Sequence, residues 1–200
     1  MSVTRIFIFM GNSGCNIDHG SFFSYYNQTY FASGGMDNTS RFLRASFLAP
    51  CHYRESGDIV VDQKIMEYGC GQYSASWDRI DASWYFAASR ECKKECLDGS
   101  FSVVMKKGEY LYFPNVAGVT ENAVFRVMAG GGDETVLRIY DGMPDFVTGD
   151  TQNTTQESKS LPGELIGNCV IGEKETIYET VLSCTVGKNR CIWWRTGPWK

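Results

Sequence analysis

No stretch of this chain keeps apolar residues at the three- and four-residue spacing of an amphipathic helix. It carries instead short runs rich in aromatic and β-branched residues, recurring roughly every 8–12 residues and separated by glycine-rich turns. Runs at 79–86, 101–105, 109–113, 123–128, 135–140, 165–171, 177–185 and 191–195 read as strands, with turns at 106–108 and 130–133. Before them, 21–32 reads as a hairpin turning near Asn27-Gln28 and broken by Gly34-Gly35. Strands over 41–49 and 59–61 follow, around a turn at 55–58. Many short strands with such turns predict an all-β sandwich or barrel. The triple glycine at 130–132 is a turn and not a phosphate loop, because no strand-to-helix context surrounds it. The polar stretch 148–160 reads as a long exposed loop.

Composition narrows the function. With 200 residues the chain can build one medium domain or two small ones, and 43% hydrophobic content supports a packed core. A net charge of −4 gives no footprint for nucleic acid or anionic lipid. No apolar run approaches the roughly 20 residues of a membrane span. Aromatics make up 14% of the chain, which suits a β core and also suits sugar binding. Eight cysteines and three N-x-[ST] triplets, at Asn27, Asn38 and Asn153, together predict disulfides and a secreted, glycosylated protein. Cys92 and Cys96 have a zinc-like spacing but no second pair at finger distance, so thiols or disulfides are expected there. The apolar run Ile6–Met10 is shorter than the roughly 7–15 residues of a signal peptide. It reads as a strand, or as the start of a truncated gene product.

Several runs resemble known families. From about Asp78 onward the chain is similar to a family 6 carbohydrate-binding module. The segments that carry the likeness are Ile80-Asp81-Ala82-Ser83, Gly108–Val116, Phe125–Gly130, Leu137–Gly142, and Leu165–Ile171 followed by Tyr178–Cys184. The earlier part resembles the C-terminal end of a family 43 glycoside hydrolase, a five-bladed β-propeller. Here the segments are Asp18–Phe23, Asn27–Ala32 and Cys51–Ile59, with Cys70–Ala75 resembling the link to an attached family 6 module.

These resemblances imply two blocks. Residues 1–76 would be a remnant of the last propeller blade, weakly packed on its own. Residues 77–200 would be a jelly-roll-like β-sandwich that binds carbohydrate and folds as the cooperative unit. The inherited ligand would be a plant β-glycan such as xylan or arabinoxylan, bound by a monomer, with neither nucleic acid nor membrane as partner. The rival readings are an inactive fragment of a family 43 hydrolase and a non-binding structural β-protein. Glycoside hydrolysis needs two carboxyl groups across the scissile bond, and none of Asp18, Asp37, Asp58 or Asp62 matches those roles. No catalytic residue is therefore assigned.

In the module family, aromatic rings sandwich a sugar while Asn and Glu fix its hydroxyls. The matching aromatic positions here are Val104 and Glu175, so the usual cleft lacks its stacking platform. Glu95 keeps an acidic position, and Tyr178 and Trp193 are the aromatics best placed to substitute, with Trp194 and Trp199 behind them. The resemblance also implies a structural calcium. Asp81 remains for it, but its partner position is Ser83, which weakens the site. His19 sits where the hydrolase family helps hold a metal or water cluster. Cys169 and Cys184 fall at opposite ends of what reads as a hairpin of adjacent strands, a pairing that would make a disulfide.

Overall fold

The computed structural model describes residues 17–36, 44–62, 65, 70–89, 91–97, 100–131, 135–142, 163–184 and 190–197. The N-terminal run, the polar stretch 148–160, Cys15, Asp37, Asn38, Asn153 and Trp199 lie outside them.

The chain is all-β. The first block is a four-stranded antiparallel meander: β1 (Ile17–Tyr25), β2 (Gln28–Met36), β3 (Arg44–Tyr53) and β4 (Ile59–Val61), in that order across the sheet. The β1–β2 hairpin turns on Tyr26 and Asn27, both at positive φ, and Tyr25 pairs with Gln28 across it. Contrary to the reading of the sequence, Gly34-Gly35 does not break the second strand. It continues to Met36, and Gly34 and Gly35 pair with Ser46 and Ala45 of β3.

The second block is a sandwich, and it takes in Tyr73–Ser74, so it begins before residue 77. One layer is a six-stranded sheet of β12 (Glu164–Ile171), β11 (Thr135–Asp141), β14 (Arg190–Gly197), β9 (Tyr110–Ala117) and β5 (Tyr73–Ser74), with β6 (Ala87–Ala88) also on β9. The other layer contains two strand pairs: β7 (Lys93–Leu97) with β8 (Ser100–Val104), and β10 (Val124–Ala129) with β13 (Thr176–Val181). The core between them follows from period-2 alternation. Leu111, Phe113, Leu137, Ile139, Ile166 and Cys169 point inward from the six-stranded sheet, and Val103, Phe125, Val127, Tyr178 and Leu182 pack against them. Fully burying a side chain such as Ile139 or Leu111 contributes about 1.5–3 kcal/mol. Gly130 is required by close approach: a Cβ there would stand 2.5 Å from the Cα of Glu175.

Two expectations fail here. Residues 79–86 are not a strand; Ala82–Trp84 forms a 3-10 turn. The turn drives Trp84 into the core, where its indole N–H donates to Asp62 at 2.7 Å, and Tyr73 donates to the Trp84 carbonyl at 2.5 Å. The segments 165–171 and 177–185 are not paired with each other either. The first pairs with β11 in one layer and the second with β10 in the other. Cys169 and Cys184 are consequently not joined. Both are free thiols, as are Cys51, Cys70 and Cys92, and Cys184 lies 3.3 Å from the Thr120 carbonyl.

The blocks interlock through buried polar groups. Gln28, 0% exposed, donates to the carbonyls of Ser83 and Tyr85 at 3.1 and 2.8 Å. Its side-chain oxygen accepts from Lys94, which also donates to the Cys51 carbonyl at 2.7 Å and sits 5.6 Å from the Tyr85 ring centroid. Asn27 donates to the carbonyls of Ser89 and Cys92, Tyr30 to that of Phe86, and Tyr85 back to that of Asn27. Ala49 and Ile65 share the sandwich's core cluster. The first block is therefore well packed against the second, contrary to the expectation of a loosely held remnant.

Two outcomes follow from this packing. Gln28→Ala should destabilise the whole chain by about 3–5 kcal/mol, because it leaves a buried ammonium and two carbonyls short of partners. Urea unfolding should still show one transition; two transitions, with only the first shifted, would mean the blocks fold separately. The second outcome concerns pH. Burial pushes the Cys51 thiol up to about 11 and those of Cys70 and Cys92 up to about 12, and it also raises Tyr30, Tyr73, Tyr85 and Tyr110. The unfolded chain releases these protons first, so stability falls as pH rises from about 9 toward 12. Lys94, pushed down to about 8 by burial, opposes this between pH 8 and 10.5, but a single group is outnumbered. Thermal midpoints measured from pH 7 to 11 should hold to about pH 8–9 and then drop; a steady rise through pH 10 would contradict the burial of these groups.

Candidate functional site

The expected site residues do not converge. Glu95 lies exposed on β7, opposite Ser102 of β8. Tyr178 lies on β13 and turns inward, half-buried against the core, with its hydroxyl donating to the Lys174 carbonyl at 2.6 Å. Trp193 lies on β14, in register between Tyr112 and Tyr140. These strands belong to three different sheets. Val104 is an exposed aliphatic residue of β8, and Glu175 is exposed in the turn before β13. Neither offers a ring.

The Asp81 carboxylate is held by Arg79, with Nε 3.1 Å from one oxygen and a terminal nitrogen 3.4 Å from the other. Ser83 is buried, and its hydroxyl has no hydrogen-bond partner. Calcium takes six to eight oxygens, so a lone carboxylate already paired with a guanidinium fits it poorly. No group of three or more His, Cys, Asp or Glu side chains able to hold a metal occurs among the described residues. His19 lies in β1 with its side chain outside them.

The buried thiols are poor nucleophiles. Burial is the largest effect on Cys51, Cys70 and Cys92, and it raises all three. His52 follows Cys51 on β3, so the two side chains take opposite faces. The imidazole meets Phe101 edge-on, and burial lowers its pKa.

One surface does gather chemistry. The outer face of the six-stranded sheet, opposite the core, is aromatic. Tyr110, Tyr112 and Tyr140 occupy it together with Phe86 and Tyr26, packed around Ala87 and Tyr112. Arg138 shares this face, two residues before Tyr140. The β1–β2 hairpin extends the strip. Tyr25 makes edge contacts with Tyr26 at 4.4 Å and with Phe86 at 5.7 Å. Phe23 stacks on its cross-strand partner Tyr30 at 5.4 Å, and Tyr30 contacts Phe86, which contacts Tyr112.

The strip thus grades from buried to open. Tyr112 is fully buried at one end, whereas Phe23 and Tyr25, on the same side of β1, are 43% and 37% exposed at the other. Two residues apart on a strand, their rings stand about 7 Å apart along it. The neighbouring rings meet mostly at steep angles, so the strip offers single ring faces, those of Phe23 and Tyr25 at its open end, on which the apolar face of a sugar can stack. Both blocks contribute, because Phe86 and Tyr110 come from the second and Phe23, Tyr25 and Tyr26 from the first. Alternation over 21–32 marks the hairpin, but it does not tell which rings stay open, since the covering residues lie some 60 positions away, as in the contact of Tyr25 with Phe86.

Asn27 shows a different use from the one its triplet implies. Its Nδ2 gives both hydrogens to backbone carbonyls, at 2.7 and 3.0 Å. A glycan on that nitrogen would break one of these bonds. Asn27 is expected to stay unmodified even when the chain is made in a glycosylating host, as intact-mass and peptide mapping would show; occupancy at Asn27 in folded protein would contradict this geometry.

No protein-family model matches the chain, and no curated protein matches it. Among solved structures, the module CsCBM6-3 of Clostridium stercorarium, determined in complex with cellobiose, is similar, with a TM-score of 0.49 and 13% identity over 63% of this chain and 88% of that one.

Proposed function

We propose that this chain is a carbohydrate-binding protein whose ligand lies along the aromatic strip, stacked on Phe23 and Tyr25. The observation that carries the reading is the open end of that strip: two exposed rings on one side of β1, backed by Tyr30 and Phe86 so that they keep their orientation. Rings held by other rings lose little side-chain entropy when a ligand arrives, which favours stacking over non-specific contact.

The ligand class that the resemblance implies is a plant β-glycan such as xylan or arabinoxylan, and an extended chain of that kind can reach both Phe23 and Tyr25, which stand about 7 Å apart along β1. Descent of the first block from a propeller blade of a family 43 hydrolase is part of the same proposal. It is supported by the four-stranded meander order, the arrangement of one blade. Secretion and a structural calcium remain parts of the proposal too. Calcium would have to displace Arg79 from Asp81, and a rise in thermal midpoint on adding it would support such a site.

The test is affinity electrophoresis of the whole chain in gels holding xylan, arabinoxylan or a β-glucan. The intact protein should be retarded by at least one of them. Phe23→Ala with Tyr25→Ala should weaken binding; each stacking ring is worth about 1–3 kcal/mol by analogy with stacking on bases, a factor of roughly 5–150. Glu95→Ala should change nothing. Retardation lost with Glu95→Ala but kept in the double variant would move the site to the β7–β8 end of the sandwich.

A further inference from the structure

The outward side of the β10–β13 pair is apolar and has no partner among the described residues. Alternation divides each strand. Phe125, Val127, Ala129 and Tyr178 pack into the core. The other residues face out as three cross-strand pairs: Val124 with Val181, Arg126 with Glu179, and Met128 with Ile177. Met128 and Ile177 are 70% and 59% exposed, and Val124 and Val181 are also exposed. At the centre Arg126 and Glu179 form an ion pair at 3.1 Å, with both side chains largely in solvent. The four large apolar side chains flank this ion pair, two on each side, and together expose on the order of 400 Å² of apolar surface.

The charge arrangement selects the partner. A two-stranded antiparallel face can meet its own copy about a two-fold axis lying in the interface, either along the strands or across them. An axis across the strands sets Arg126 against Arg126 and Glu179 against Glu179, which repel. An axis along the strands sets each Arg126 over the Glu179 of the second copy, Val124 over Val181, and Met128 over Ile177. Every contact is then complementary, because charge meets opposite charge and apolar meets apolar. We infer that a second copy of this chain docks on the outward face of β10 and β13, related by a two-fold axis parallel to the strands. The patch is smaller than the ~800 Å² per partner of a stable interface. The dimer is therefore weak, with a Kd on the order of 100 µM. It pairs two modules and so presents two aromatic strips to one polymer, which raises avidity without new sugar contacts.

Sedimentation velocity on the whole chain, from about 10 µM to about 1 mM, tests this. The wild type should shift from monomer to dimer across that range. Arg126→Glu gives a face with two acids and Glu179→Arg a face with two bases, so each variant alone should stay monomeric. An equimolar mixture should associate, because acids then meet bases across the axis. A wild type that stays monomeric at the highest concentration overturns the proposal, and so does a mixture of folded variants that fails to associate. Should either charge variant prove unfolded by circular dichroism, Met128→Ser with Ile177→Ser, both solvent-facing, takes its place: it should abolish the dimer, and a dimer unchanged in it would overturn the proposal. Association dispersed by xylo-oligosaccharide, with the shifts mapping to β10 and β13, would make this face a sugar site and would also overturn it.

Discussion

The buried amide of Gln28 holds the two blocks in one body. It has no access to water, so each of its polar atoms must find a protein partner or cost free energy comparable to a lost hydrogen bond. The partners it finds are the carbonyls of Ser83 and Tyr85 and the ammonium of Lys94, all from the second block. Lys94 in turn reaches the carbonyl of Cys51 in the first. This arrangement fixes where the β1–β2 hairpin sits. The hairpin position determines which rings are covered and leaves Phe23 and Tyr25 open. A polar contact far from the surface therefore shapes the aromatic strip on it.

The cost of this arrangement is a charge in the interior. Lys94 is kept only because an amide oxygen, a carbonyl and an aromatic ring surround it. Removing one partner of such a group is costly, whereas removing the whole group together with its partners is much less so. Groups of this kind contribute specificity as much as stability: the hairpin can dock in one register only, since a one-residue slip would put Gln28 on the wrong face.

Much of the architecture was legible because period-2 alternation is local. The strands over 101–105, 109–113, 123–128, 135–140 and 165–171 read correctly to within a few residues, as in β9, β10 and β12. What failed depended on distant residues. Lys93–Leu97 begins with two lysines and a glutamate and reads as polar, yet it is a strand whose inward Lys94 is satisfied by Gln28. Ala82–Trp84 reads as strand and curls, because Trp84 finds Asp62. Cys169 and Cys184 read as facing hairpin ends and fall in different layers, since β12 and β13 each have another partner. The site was less legible still. Trp193 does fall in register with Tyr112 and Tyr140, but Tyr178 turns into the core, and Phe23 and Tyr25 could be recognised as open only once Phe86 was in place.

The most direct test of a carbohydrate site built jointly by both blocks is chemical-shift mapping of the isotope-labelled whole chain during titration with a soluble xylo-oligosaccharide. The account predicts that the largest perturbations cluster on the β1–β2 hairpin around Phe23 and Tyr25 and continue to Phe86 and Tyr110. It also predicts that Phe23→Ala with Tyr25→Ala removes most of them from a chain that stays folded. Perturbations centred on Glu95 and Val104, or perturbations undiminished in the Phe23→Ala, Tyr25→Ala variant, would contradict it.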